Sequence, residues 1–408
     1  RIKVTVKSEF VIENRTLIAY KGLGGHVEIP DDEGILYIGP YAFCLYDTDR
    51  SVELDEDDYD ANKIPAMNTS VTSVTVPHGV EEIQKYAFYN CSGLREVTLP
   101  TTVKFIREYS FYNDVKLTYV HGLGSAEMIG AYAFHGCKVL AEADLGKCYS
   151  LGASAFEGCS ALTEIDLTHL RNAAEAPVKG SGEKVGRTFK DCTSLATIIL
   201  GENTKLCREM FVNTAVETLD IYERNSIPVF AFAKNPHLKK VTFHNPLLSI
   251  GLGAFCQNPL LDDVVFKGSV GEISSQAFYA DTKLTAIRLP DGAITLGEYC
   301  FRDSGLKVLT LSDNTELVKI GASAFDGTSL GTFAVTQTNA YYATEADGAL
   351  LTSKDGKQVI LAAIANDFGD YTLPEKYEKI ASGAFSGANI TSIVFANPDI
   401  VIGAFAFN

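Results

Sequence analysis

One short hydrophobic pattern recurs along the chain, and it is seen most cleanly at residues 83–100, IQKYAFYNCSGLREVTLP. Ile83 and Phe88, with Ala87 before it, mark apolar positions five residues apart, and the small Cys91 follows three beyond Phe88. Leu94, Val97 and Leu99 then alternate with polar Glu96 and Thr98, the period of a half-buried strand. Pro100 removes a backbone donor and ends the pairing. A unit this small cannot bury its own apolar face, so copies must stack on one another.

The copies are counted by their anchor phenylalanines: Phe43, Phe88, Phe111, Phe134, Phe156, Phe189, Phe211, Phe232, Phe255, Phe278, Phe301, Phe325, Phe385 and Phe407. Most steps are 22 to 24 residues, a spacing within the range of leucine-rich repeats. Ile or Leu sits five positions ahead of nearly every anchor, from Ile38 and Ile106 to Ile380 and Ile402; the Phe189 copy departs, with Val185 four ahead. This pattern predicts a leucine-rich-repeat solenoid, mainly β or α/β, with a parallel strand ladder and short helical or irregular turns carrying the anchors.

Three long steps mark insertions into an array otherwise expected to be single from 1 to 408. Residues 1–37 alternate as strands around Gly22, Gly24 and Gly25 and read as a capping unit, with repeats over 38–330. Residues 46–70 and 168–188 interrupt those repeats. Residues 331–379 read as a β-hairpin insertion, against which Phe333, Tyr341 and Tyr342 are expected to pack, before the last repeats at 380–408. The stretch 347–385 echoes the N-terminal one: strand, glycine turn, strand, then a Leu-Pro or Ile-Pro step into an Ala-Phe anchor.

Composition narrows the function classes. A formal charge of −16 disfavours nucleic acid and anionic membrane surfaces as partners. No apolar run approaches the length of a membrane span. The chain starts at Arg1 without a leader and reads as a mature or trimmed form. Nine cysteines suit pairing poorly. Cys91, Cys137, Cys159 and Cys192 instead share the position three after the anchor, where other copies carry Asp114, Asn235, Asn258, Asp281, Ser304 and Thr328. The expectation is reduced, buried thiols that cap neighbouring backbone.

The runs IGAYAFHGCKVL, LGASAFEGCSALTEIDL and IGASAFDGTSL resemble the BspA-like leucine-rich repeats of bacterial cell-surface proteins, over nearly the whole chain. The resemblance implies a secreted or surface-attached, extracellular protein of host-associated bacteria. It also implies a role in adhesion or protein binding towards host matrix proteins or other cells.

Candidate chemistry is sparse. No nucleophile or metal signature appears, so no catalytic residue, metal ligand or cofactor is assigned and the chain reads as no enzyme. His237 and His244 flank one strand and read as solvated turn residues, and the acidic residues of 46–60 read as a solvated loop or a calcium site. Tyr41, Tyr86, Tyr109, Tyr132 and Tyr299 recur at one place per copy, as a packing row or an aromatic stripe for carbohydrate or protein. Recognition by such arrays lies on the outward strand face. There, a parallel register would set Glu142 beside Glu164 and Asp144 beside Asp166. These four carboxylates are the expected partner-binding site for a monomeric binding protein whose partner is a protein or glycan. The alternative is a structural spacer or surface-layer component.

Overall fold

The structure, a computed structural model, describes residues 9–45, 66–178 and 182–407. By its internal contacts the chain divides into two compact units, residues 1–215 and 216–408. The acidic stretch 46–60 and the centre of the second insertion, 179–181, lie outside the described residues.

Most turns of unit one contribute two short strands. The first ladder is the expected one. Its strands Gly25–Glu28, Val71–Thr75, Glu96–Thr98 and Tyr119–His121 pair in parallel, and Glu164–Asp166 pairs in parallel with Thr197–Ile199. The second ladder is built from the apolar residue ahead of each anchor. Tyr37–Ile38, Glu82–Ile83, Phe105–Ile106, Met128–Ile129, Ser150–Leu151 and Asn172–Ala173 run in parallel as part of one eight-stranded sheet. Its outer edge is an antiparallel hairpin, Phe10–Glu13 with Thr16–Tyr20, which turns through Asn14 and Arg15 at positive φ. In the second insertion, Ala176–Pro177 and Lys184–Val185 pair as a short hairpin.

Unit two follows the same plan. Thr218–Ile221, Lys240–Phe243 and Asp263–Phe266 form one stretch of outer ladder, and Ala286–Leu289, Val308–Leu311 and Thr332–Val335 another. A five-stranded parallel sheet from Ser226–Ile227 to Thr315–Ile320 forms the second ladder. The antiparallel part of the third insertion is confined to a meander of three strands, Tyr342–Glu345, Leu350–Ser353 and Gln358–Ala362. Phe333 is a buried ladder residue, opposite Leu309, and its backbone lies against Gly348 of the insertion. The internal echo is structural too. Gln358–Ala362 leaves its hairpin to pair in parallel with Lys379–Ile380, as Thr16–Tyr20 does with Tyr37–Ile38.

The turns are not helical. Among the described residues, helix is limited to two single 3-10 turns, Leu123–Ser125 and Ala346–Gly348. The cause is a left-handed residue on each side of the anchor, which interrupts any right-handed helix. Two positions before it, Tyr86, Tyr109, Tyr132, Phe230, Gln276 and Tyr299 all have φ between 53° and 62°. Two positions after it, Asn90, Asn113, Lys234, Ala280 and Asp303 do likewise. A side chain in this region costs roughly 1–2 kcal/mol relative to glycine. Lys234 is exposed and at φ 60°, so Lys234→Gly is expected to stabilise unit two by about 1 kcal/mol, read as a higher denaturant midpoint. A lower midpoint would show that the turn is not under this strain.

The core is a column of stacked rings. Phe88, Phe111, Phe134 and Phe156 lie 4.9, 5.0 and 5.1 Å apart in turn, close to the spacing of neighbouring strands. Beside the column, all nine cysteines are free and buried. Cys137, Cys159 and Cys192 donate Sγ–H to the anchor carbonyls of Phe111, Phe134 and Phe156 at 3.1–3.2 Å, the capping role expected of them. Asn235 caps the Phe232 carbonyl from the same position with its Nδ2, at 2.9 Å. Burial pushes the Cys148, Cys207 and Cys256 thiols up to about 11, the opposite of a reactive thiolate.

Candidate binding face

Along the outer ladder, the inward side chains Val74, Val97 and Ile165 are buried, and their strand neighbours project outward. In unit one, the parallel register places His26, Ser73, Glu96 and Tyr119 in one row, with Glu28, Thr75, Thr98 and His121 in the next. Polar contacts link successive turns: His26 Nδ1 lies 2.8 Å from Ser73 Oγ, and His121 Nε2 lies 2.7 Å from Glu96 Oε1. Tyr119 stacks beside His121 and is 45% exposed, a large apolar surface on a polar face.

Glu142, Asp144, Glu164 and Asp166 all reach solvent from unit one. Only the second pair sits on a strand, Glu164–Asp166; residues 141–145 form none. The inward position there is Ala143, smaller than the Val or Ile of other copies and a weak strand former, so the ladder is interrupted. Contact between the two turns persists through Thr163, whose N–H donates to the Ala141 carbonyl at 3.3 Å. The aspartates turn back on their own backbone: Asp144 Oδ1 accepts from the Gly146 N–H and Asp166 Oδ1 from the Thr168 N–H, each at 2.9 Å. Gly124 permits this, because a Cβ there would fall on the Asp144 carboxylate. Among the described residues, Glu142 and Glu164 make no such bond.

Among the described residues, none of these four carboxylates has a cationic partner within 4 Å, so the patch keeps its charge. No group of three or more His, Cys, Asp or Glu converges as a metal site there. On the corresponding face of unit two, lysines pair with carboxylates across successive turns. Lys240 Nζ lies 2.6 Å from Asp263 Oδ2, and the carboxylate holds the ammonium above its ordinary range. Lys239 pairs with Glu217 at 2.8 Å, and His244 Nε2 lies 2.6 Å from Asp220 Oδ1. His244 therefore differs from the solvated turn residue expected: it also stacks on Tyr222 at 4.4 Å and lies 3.2 Å from Lys267 Nζ. Thr242, which alternates with Val241 and Phe243 on its strand, is buried as they are. His237 is exposed. The spacing of about one repeat between Asp220, His244 and Lys267 is the signal that would have grouped them.

Four of the five recurring tyrosines form a packing row, while the ring of Tyr299 lies under the Arg302 guanidinium at 5.1 Å. Tyr41, Tyr86, Tyr109 and Tyr132 stack ring on ring at 4.9–5.2 Å, and Tyr41 and Tyr86 are buried. A second row, Tyr89, Tyr112 and His135, lies alongside at 5.1 and 4.9 Å. Burial lowers the His135 pKa from its ordinary value, so the ring packs as a neutral one. No helix among the described residues is long and apolar enough to cross a membrane.

A family model described as a BspA type leucine rich repeat region, in six copies, matches residues 66–175, 183–280, 225–346 and 365–408. A comparison with curated proteins finds no match. Among solved structures, a leucine-rich repeat protein from Bacteroides ovatus is 18% identical over 97% of this chain and 88% of its own, with a TM-score of 0.50. A leucine rich cell surface protein from Faecalibacterium prausnitzii is 18% identical over 95% of this chain and 92% of its own, with a TM-score of 0.38. The pneumococcal vaccine antigen PcpA is 16% identical over 97% of this chain and 95% of its own, with a TM-score of 0.42. The first of these likenesses is one of fold.

Proposed function

Because the chain belongs to the BspA-type leucine-rich repeat family, we propose that it is a non-catalytic cell-surface binding protein that recognises a basic protein partner through the outer ladder of unit one. The observation carrying this reading is the contrast between the two faces. Lys239 and Lys240 of unit two pair with carboxylates across successive turns, whereas Glu142, Asp144, Glu164 and Asp166 stand without cations among the described residues. Like charges held on neighbouring turns repel, and a partner bearing Lys or Arg relieves that repulsion. The exposed Tyr119 and its His121 neighbour offer aromatic surface of the kind enriched at interfaces.

Binding to an array of extracellular-matrix proteins and glycans, with and without calcium, tests the reading. The expected result is saturable binding to a basic protein that weakens as salt is raised and does not require calcium. Selective binding to glycans would replace the proposed partner class. Silence across the array from protein of native circular dichroism would favour a spacer that presents other domains.

A further inference from the structure

Among the described residues of unit two, the turn-to-turn hydrogen bonding at the anchors breaks at Phe325. In four successive turns, three main-chain N–H groups donate to the carbonyls of the next turn: the anchor's, and those two residues before and after it. Phe230, Phe232 and Lys234 donate to Leu252, Ala254 and Cys256, and the set continues until Tyr299, Phe301 and Asp303 donate to Ala322, Ala324 and Asp326. The Phe325 turn receives its three bonds and passes none on. The N–H groups of Ser323, Phe325 and Gly327 find no acceptor among the described residues.

The cause lies in the sequence. After Phe325 the chain runs into Thr332–Val335 and then the antiparallel meander, and the next anchor is Phe385. The ring column stops with the hydrogen bonds. Phe301 stacks on Phe325 at 5.7 Å and Phe385 on Phe407 at 5.1 Å, while Phe385 is met edge-on by Phe368 at 6.1 Å. A cleft of about 300 Å³ remains, with Phe325, Leu361, Ile364, Ser386, Ala404 and Phe405 in its walls.

We propose that this cleft binds a turn of another polypeptide that carries a phenylalanine or similar aromatic side chain between small residues. The neighbouring turns of unit two show what a turn with these donors packs against: an Ala-Phe or Cys-Phe turn offering carbonyls at the same spacing. The volume is at the small end of ligand pockets and suits one side chain with its flanking backbone. Unpaired donors favour a ligand rich in carbonyl oxygens over a lipid chain, and the apolar walls favour an aromatic ring over a sugar. The site lies in unit two and stands independently of the acidic face of unit one.

The chain contains no Trp, so the tryptophan of a hexapeptide Ala-Ser-Ala-Trp-Asp-Gly is the only indole in a mixture with the full chain. The expected result is a saturable blue shift of its emission, reversed by excess Ala-Ser-Ala-Phe-Asp-Gly. Ser386→Phe, which fills the cleft, and Ala322→Arg, at its exposed mouth, are each expected to weaken binding at least tenfold. Val401→Ser/Ile402→Ser, at the exposed edge strand, is expected to leave it unchanged. No shift, or binding lost only in the edge-strand variant, would overturn the proposal. Two cleft variants, each checked by circular dichroism, keep the result readable if one fails to fold.

Discussion

Phe278→Ala is expected to destabilise unit two by about 3–5 kcal/mol, the range for deleting a buried aromatic side chain. Phe278 is fully buried and sandwiched at 5.6 Å on both sides, between Phe255 and Phe301. The backbone on each side is fixed by turn-to-turn hydrogen bonds, from Phe255 N–H to the Ala277 carbonyl and from Phe278 N–H to the Cys300 carbonyl. The gap therefore cannot close by local collapse, and the cavity term is large. In a repeat array each copy touches only its neighbours, so amide exchange should quicken first in the turns around Phe255 and Phe301. Urea titration measures the loss. A change below about 1 kcal/mol would mean that the phenylalanine column is not what holds the turns together.

Asp281→Asn is expected to act in the opposite direction. Asp281 is fully buried at the position where other turns carry Cys or Asn, and desolvation raises its carboxyl pKa well above the ordinary range. One oxygen accepts the Asn258 N–H at 2.8 Å, and the other has no partner among the described residues. The folded state thus holds a proton that the unfolded chain releases above about pH 4. The stability linked to this group is present below that pH and is lost as pH rises through the elevated folded-state value. Asparagine does not ionise, and Asn235 and Asn258 already donate Nδ2–H to the Phe232 and Phe255 carbonyls from the same place. In Asp281→Asn the new amide would cap Phe278 likewise. The expected gain is about 1–3 kcal/mol at pH 7, shrinking towards pH 4. Denaturant midpoints at the two pH values check it, and a gain of equal size at both would rule out ionisation as the cause.

The parts of this fold legible in the sequence are those enforced by burial in every copy. The anchors, the strand alternation around Val97 and the small residue after each anchor recur because the core admits little else at those places. The second ladder was not legible. Its strands, such as Glu82–Ile83, are two residues long, and two residues show no period. The left-handed turn positions were hidden because Tyr, Phe, Gln and Lys occupy them instead of Gly alone. Ring stacking across turns rewards a large side chain there against the backbone cost. On the candidate face, the four carboxylates were found by repeat arithmetic, but the loss of strand at 141–145 was not. That arithmetic treats Ala143 as equivalent to Val97, and only packing distinguishes them. Long steps marked the insertions, yet the unsatisfied donors at Phe325 follow from which turn the inserted chain fails to replace. That is a property of the path taken through space, not of composition.

The recognition account is tested most directly by Glu142→Lys/Glu164→Lys. Both side chains are exposed, while Asp144 and Asp166, which brace their own turns, stay in place. Affinity for the partner captured on the array is measured for this variant and the unaltered chain, at low and high salt. The account predicts an affinity loss of at least about tenfold at low salt that narrows as salt screens the patch. Equal affinity for both proteins at low salt would contradict it and remove the acidic ladder face from the binding site.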